Sequence, residues 1–306
     1  MHDAIALIGA GARFPGAHQM SDFRGMVLSG SVHFSPVPAL RWDHAHVHSP
    51  NPKHVNKTPA RAGAFLDDIE WFSPEFFGIT PKRARLMDPQ QRLILEIARQ
   101  ALEDAGYARR RLADGRVGVY VGASSSDHRT TISAPVHAPL VLKGRAGVVP
   151  GLTQEEIEGV SAALPGISAY TITGAQLNMI AANVSQAFDF NGPAFSIDTA
   201  CSSALAALHE AVLHLRSGTV DAALVGGVYA MLDPTMIVCF SRIGALSFTD
   251  RCSPFQAGAD GFVLGEGGGL VVLKRLADAH RDRVVASAGN RALRNRSQAR
   301  GQGRRL

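Results

Sequence analysis

Short apolar runs alternate along this chain with stretches whose hydrophobic residues recur every three or four positions. Residues 4–8, 117–122, 221–227 and 270–273 are apolar runs of strand length, and 194–200 is another short, mostly apolar one. Helical patterns lie between them. Asp88-Pro89-Gln90-Gln91 supplies an N-cap acid, a proline at the first helical position and a glutamine at the third. Leu93, Ile94, Ile97, Ala101 and Leu102 then form an apolar face that Gly106 ends. Residues 175–188 read as a second helix. A third starts at Ser202, with Leu205, Leu208, Val212 and Leu215 on one face and Gly218 as its stop. Thr80-Pro81 opens a short helix, and Thr153-Gln154-Glu155-Glu156 is a capping box for another. That box lies within 124–170, a stretch otherwise so interrupted by proline and glycine that it reads as loop. Strands alternating with helices predict an α/β fold with a mostly parallel sheet.

A chain of 306 residues, 46% hydrophobic and 19% charged, can bury a sizeable core as one large domain or two modest ones. No apolar run approaches the roughly 20 residues of a membrane helix. Met1-His2-Asp3 lacks the basic start of a secretory signal. Cys201, Cys239 and Cys252 form neither a CxxC pair nor a zinc spacing, and an odd count fits a reducing compartment. A cytoplasmic protein with no membrane partner is the expectation. The net charge of +5 would suggest nucleic acid, but 287–306 holds six arginines and no acid, which leaves the rest of the chain at −1. No nucleic-acid partner is therefore expected. Residues 284–306 have almost nothing to bury and are expected to be a disordered arginine-rich tail, of the kind a changed reading frame or a truncated gene produces.

Three patterns invite chemistry and are set aside. Gly9 and Gly11 follow the first strand as in a dinucleotide-binding turn, but Phe14 and Pro15 stand where the third glycine and a helix are needed. His44, His46, His48 and His54 cluster within 31–63, yet no cysteine or paired carboxylate accompanies them and Pro50, Pro52 and Pro59 point to a solvated loop. The glycine-rich run from Gly258 to Gly267 lacks the Gly-Lys-Ser/Thr ending of a phosphate cradle and reads as a hairpin into the strand at 270–273.

Cys201 is different because it sits where a strand turns into a helix. The first turn of a helix has free N–H groups and a partial positive charge, which favour a thiolate and make this cysteine a candidate nucleophile. A buried cysteine acting as a small hydrophobe is the alternative, and position alone leaves both open.

The string Asp198-Thr199-Ala200-Cys201-Ser202-Ser203 resembles the active-site motif of β-ketoacyl synthases, most closely the ketosynthase domains of modular polyketide synthases. The loop Arg13-Phe14-Pro15-Gly16 is similar to that family's, as are Met87-Asp88-Pro89-Gln90-Gln91-Arg92-Leu93, the segment from Phe240 to Ser247 and the run from Arg251 to Gly267. Together they span roughly residues 4–283 in the family's order. Three departures stand out. Asn183-Val184-Ser185 lacks the family's basic residue, Gln256 replaces an aspartate, and the resemblance stops at about Arg283.

The resemblance implies a thiolase-like α/β fold, of which 1–283 would be the N-terminal half of five αβαβα layers. It implies that Cys201 takes an acyl group from the phosphopantetheine of a partner acyl carrier protein, and that a malonyl thioester then loses carbon dioxide and attacks the acyl-cysteine. No cofactor is expected on this chain itself, nor any metal. The Cys201 N–H would hold the oxyanion. A homodimer through the strand at 194–197 is also implied. The family's second step uses two histidines, in His-Gly-Thr-Gly-Thr and Gly-His motifs, and neither motif occurs in this sequence. His209 would lie about 12 Å down its helix from Cys201, too far to activate it, and His280 is expected on the surface. Acylation without full condensation is the expected activity. A non-catalytic chain that only pairs with a complete ketosynthase is the alternative, and a cysteine hydrolase would need an activating histidine that nothing local supplies.

Overall fold

The computed structural model describes residues 4–107, 112, 115–142, 153–164, 166–284 and 304–305. In chain order, β1 (Ile5–Arg13) precedes α1 (Met20–Ser29), β2 (Ser35–Pro36), α2 (His44–Val47), β3 (Ala62–Gly63), β4 (Trp71–Phe72), α3 (Pro81–Ala84) and α4 (Pro89–Asp104). The middle of the chain carries β5 (Val117–Gly122), α5 (Asp127–Leu142), α6 (Gln154–Ala163), α7 (Thr171–Ala175) and α8 (Asn178–Phe188). Then come β6 (Ala194–Ile197), α9 (Ser203–Arg216), β7 (Ala222–Tyr229), α10 (Thr235–Arg242), β8 (Gly267–Arg275), α11 (Leu276–Arg281) and β9 (Arg304–Arg305).

The apolar runs form one five-stranded sheet in the order β1-β8-β7-β5-β6. β5 pairs in parallel with β6 and β7, whereas β8 pairs antiparallel with β7 and β1. The sheet is thus mixed rather than mostly parallel, because hydrophobic patterning carries strand position but not strand direction. Alternate side chains divide the core between the two faces. Val117, Val119, Val121, Leu224, Leu270 and Val272 pack with α4 and α8 on one face. Tyr120, Ala223, Val225 and Leu273 pack under α9 on the other.

α4 forms as its sequence dictates. Asp88 accepts the Gln90 N–H at 2.8 Å, Pro89 takes the first helical position, and the five expected apolar residues are buried. Gln91 does not complete a capping box. Its amide instead donates to the carbonyls of Thr173, Gly174 and Gln176, tying α7 to the start of α4. Gly9 and Gly11 prove to be packing glycines, since a Cβ on either would lie 2.4–2.5 Å from backbone atoms of α4, the Ala101 and Ile97 carbonyls among them. β1 runs on past them to Arg13, so no nucleotide turn forms there.

Three further expectations needed correction. Residues 175–188 are not one helix: Gln176 is extended and separates α7 from α8. Residues 124–170 are more helical than their prolines suggest, for α5 continues through Pro135 and Pro139, anchored by buried Asp127 and Ile132 and by packing with α6. The Thr153 capping box forms as read, with reciprocal bonds of 2.7 and 3.2 Å to Glu156. Finally, α9 buries Ser203, Ala207, Ala211 and Leu215 against the sheet, while Leu205 is 70% exposed and Leu208 also faces outward. The small residues win the sheet-facing side because α9 lies close on β5 and β7. The tail expected at 284–306 falls outside the described residues except for buried Val284 and β9, which pairs with β4.

Candidate active site

β5, β6 and β7 are parallel, so their carboxyl ends share one edge of the sheet, and the chain leaves that edge at Cys201, Asp127 and Leu232. β6 stops at Ile197 rather than Ala200. A 3-10 turn, Ala200–Ser202, then carries Cys201 into α9. Ala200 has φ 53°, the left-handed region that an L-residue with a Cβ enters at a cost of about 1–2 kcal/mol. Side chains of the same turn hold it there. The Ala200 N–H donates to Asp198 Oδ1 at 2.9 Å, the Thr199 N–H donates to Ser203 Oγ at 2.9 Å, and Ser203 Oγ donates to the Ala200 carbonyl at 2.6 Å. Ser202 Oγ donates to the Thr199 carbonyl at 2.8 Å.

Cys201 is exposed, as are Cys239 and Cys252, so none of the three is a core residue. Among the described residues no side chain is hydrogen-bonded to Cys201 Sγ, histidines included. His209 and His280 are exposed. His214 Nδ1 lies 2.7 Å from the Tyr120 hydroxyl, a phenol that burial pushes up to about 12, and the pair belongs to the packing beneath α9.

The turn docks on the sheet through two glycines. A Cβ on Gly122 would stand 2.5 Å from the Ala204 nitrogen, and one on Gly227 would stand 3.1 Å from the Ala204 Cβ. Sequence reasoning placed Cys201 at the strand-to-helix turn but missed these supports. The glycines ending β5 and β7 were the available signal; the left-handed Ala200 had none.

Two neighbouring features complete the edge. Buried Asp127 accepts the N–H groups of Leu232 at 2.9 Å and Asp233 at 3.4 Å, tying the start of α5 to the segment after β7. Burial pushes its carboxyl up to about 6, and the nearby carboxylates of Asp233 and Asp88 add to the rise against those two N–H bonds. Beneath α8, Arg83 donates to Asn183 Oδ1 at 2.7 Å, so a cation reaches this helix from α3.

The four histidines at 44–54 do not converge on one point. The His44 and His48 rings lie 5.6 Å apart, but His44 bonds Trp42 and the Ala60 carbonyl, and His54 bonds Ser49. Among the described residues only His18, Asp67 and Asp68 bring three metal-type ligand atoms together, and Arg13 already pairs with Asp68 there.

This architecture is that of thiolase-like ketosynthase domains. The oxazolomycin ketosynthase domain OzmH KS7 of Streptomyces albus superposes with a TM-score of 0.77 at 32% identity, over 92% of this chain and 44% of that one. A ketosynthase from module 6 of the bacillaene synthase of Bacillus subtilis gives 0.70 at 33% identity, over 92% and 41%. The chain belongs to the β-ketoacyl synthase family, whose N-terminal domain model matches residues 2–279. Its sequence is 39% identical over 287 residues to a phenolphthiocerol/phthiocerol polyketide synthase subunit of Mycobacterium tuberculosis, covering 93% of this chain and 14% of that protein. It is also 39% identical over 282 residues to the spectinabilin polyketide synthase system protein NorC of Streptomyces orinoci, covering 92% and 11%. The chain thus spans less than half of the solved ketosynthases and a small fraction of the synthases. Among the described residues no helix is long and apolar enough to cross a membrane.

Proposed function

We propose that Cys201 is the acyl-accepting nucleophile of a polyketide-type ketosynthase and that residues 1–283 form its N-terminal domain, with 284–306 a separate arginine-rich tail. The observation that carries this reading is the turn itself. A strained Ala200 presents an exposed cysteine at the carboxyl ends of three parallel strands, inside a segment that matches the ketosynthase family.

The donor is an acyl thioester on the phosphopantetheine of an acyl carrier protein, so the prosthetic group belongs to the partner and this chain holds no cofactor of its own. The Cys201 thiol gives its proton to water, its thiolate attacks the thioester carbonyl, the Cys201 N–H donates to the oxyanion, and collapse expels the pantetheine thiolate, which takes a proton back from water. Sulfur replaces sulfur, and no redox partner is needed. Decarboxylation of a malonyl thioester and attack of its carbanion on the acyl-cysteine further require donors to the malonyl carbonyl. Neither histidine motif of the family lies in these 306 residues, so they carry the acylation half-reaction and need other residues for condensation.

A second reading, a non-catalytic chain that pairs with a complete ketosynthase, draws support from β6. It is the edge strand of the sheet and only partly buried, and among the described residues no strand pairs with its outer edge. Incubation with an acyl N-acetylcysteamine thioester separates the two. The expected result is one acyl adduct on the Cys201 peptide that Cys201→Ala abolishes. Equal labelling of Cys239 and Cys252, or none at Cys201, sinks the catalytic reading.

A further inference from the structure

We infer that Ser203 is a positioning residue for the nucleophile, a clamp that holds Ala200 left-handed and so sets where Cys201 points. The inference rests on Cys201 being the reactive group.

Ser203 is 6% exposed and its hydroxyl works in two directions at once. It accepts from the Thr199 N–H at 2.9 Å and donates to the Ala200 carbonyl at 2.6 Å, linking the Asp198–Thr199 peptide to the Ala200–Cys201 peptide across the strained residue. A hydroxyl is the smallest side-chain group that can accept and donate together. Asp198 anchors the same residue by its N–H. Of the two, Ser203 is the anchor that also belongs to α9, so it fixes the turn to that helix.

Loss of the Ser203 hydroxyl leaves the Thr199 N–H without its partner and the Ala200 carbonyl with the Ser203 backbone N–H alone, and the turn relaxes toward ordinary dihedrals. Cys201 then moves while α9 stays docked through Ala207, Ala211 and Leu215. The test is site-resolved alkylation of the full chain with iodoacetamide, read by peptide mass spectrometry, with Cys239 and Cys252 as internal standards. Ser203→Ala is expected to slow Cys201 about tenfold, the order of loss that a small misplacement gives, without changing the two standards. Ser203→Thr, which keeps the hydroxyl, restores the rate. Ala200→Gly removes the steric reason for a clamp, so Ser203→Ala made on that background should slow Cys201 by less than about threefold.

An unchanged Cys201 rate in Ser203→Ala overturns the inference, as does a loss that Ala200→Gly fails to relieve. If Ser203→Ala changes the rates of all three cysteines together by unfolding, the Ser203→Thr and Ala200→Gly comparisons still decide it. Alkylation does not depend on acyl transfer. A chain that shows the Ser203 contrast yet takes no acyl group from a thioester keeps this clamp and loses the proposed function.

Discussion

The backbone nitrogen of Ala204 lies 2.5 Å from the point where a side chain on Gly122 would begin. The carboxyl end of β5 and the first turn of α9 are therefore in direct backbone contact, and the cysteine turn is seated on that contact.

Gly122→Ala is expected to destabilise the chain by about 1–3 kcal/mol, because both atoms nearest the new methyl are backbone and cannot swing aside. Gly25→Ala is the matched control. Gly25 lies within α1 with no atom within 4 Å of its missing Cβ, so the same methyl should stabilise by about 0.5–1 kcal/mol through helix propensity. Urea denaturation of the two variants reads both signs. Equal effects would mean that the β5–α9 contact is looser than described.

Asp127 makes stability depend on pH. Burial raises its carboxyl from 3.8 to about 6, so between those values the folded chain binds a proton that the unfolded chain has released. The stabilisation is complete below the unfolded value and is lost as pH rises through the folded one. Asp127→Asn keeps an oxygen for the Leu232 N–H but cannot ionise. The stability of the variant relative to the parent should therefore grow with pH from about 4 to 6 and then level off. Thermal melts across that range test it, and a difference that stays constant with pH rules it out.

How much of this was legible in the sequence depended on whether the signal was local. The Asp88-Pro89 start of α4, the Thr153 capping box and the strand at 117–122 rest on neighbouring residues, and all three formed as read. The cysteine turn was placed correctly from an apolar run giving way to a helical period. Strand direction in β8 was not local, and neither was the survival of α5 through two prolines. Ala200 carried no signal at all, because alanine has no preference for the left-handed region and only Asp198 and Ser203 around it make that conformation hold. The face of α9 was misjudged for a further reason. A helix apolar on two sides does not declare which side meets the sheet.

Substitutions on the two sides of α9 tell them apart. Leu205 and Ala207 are two residues apart on α9, yet one is 70% exposed and the other 0%. Ala207 sits in the layer that packs with Tyr120, Ala223 and Val225, where extra volume has nowhere to go. Ala207→Leu should cost about 1–3 kcal/mol although it adds apolar surface. Leu205→Glu removes apolar surface from the outer side and should change stability by no more than about 0.5 kcal/mol, while reducing self-association seen by light scattering. Sequence hydrophobicity alone ranks these two substitutions in the opposite order. If Leu205→Glu proves as costly as Ala207→Leu, the outer face of α9 is covered in solution, and the layer that covers it must come from beyond the residues described.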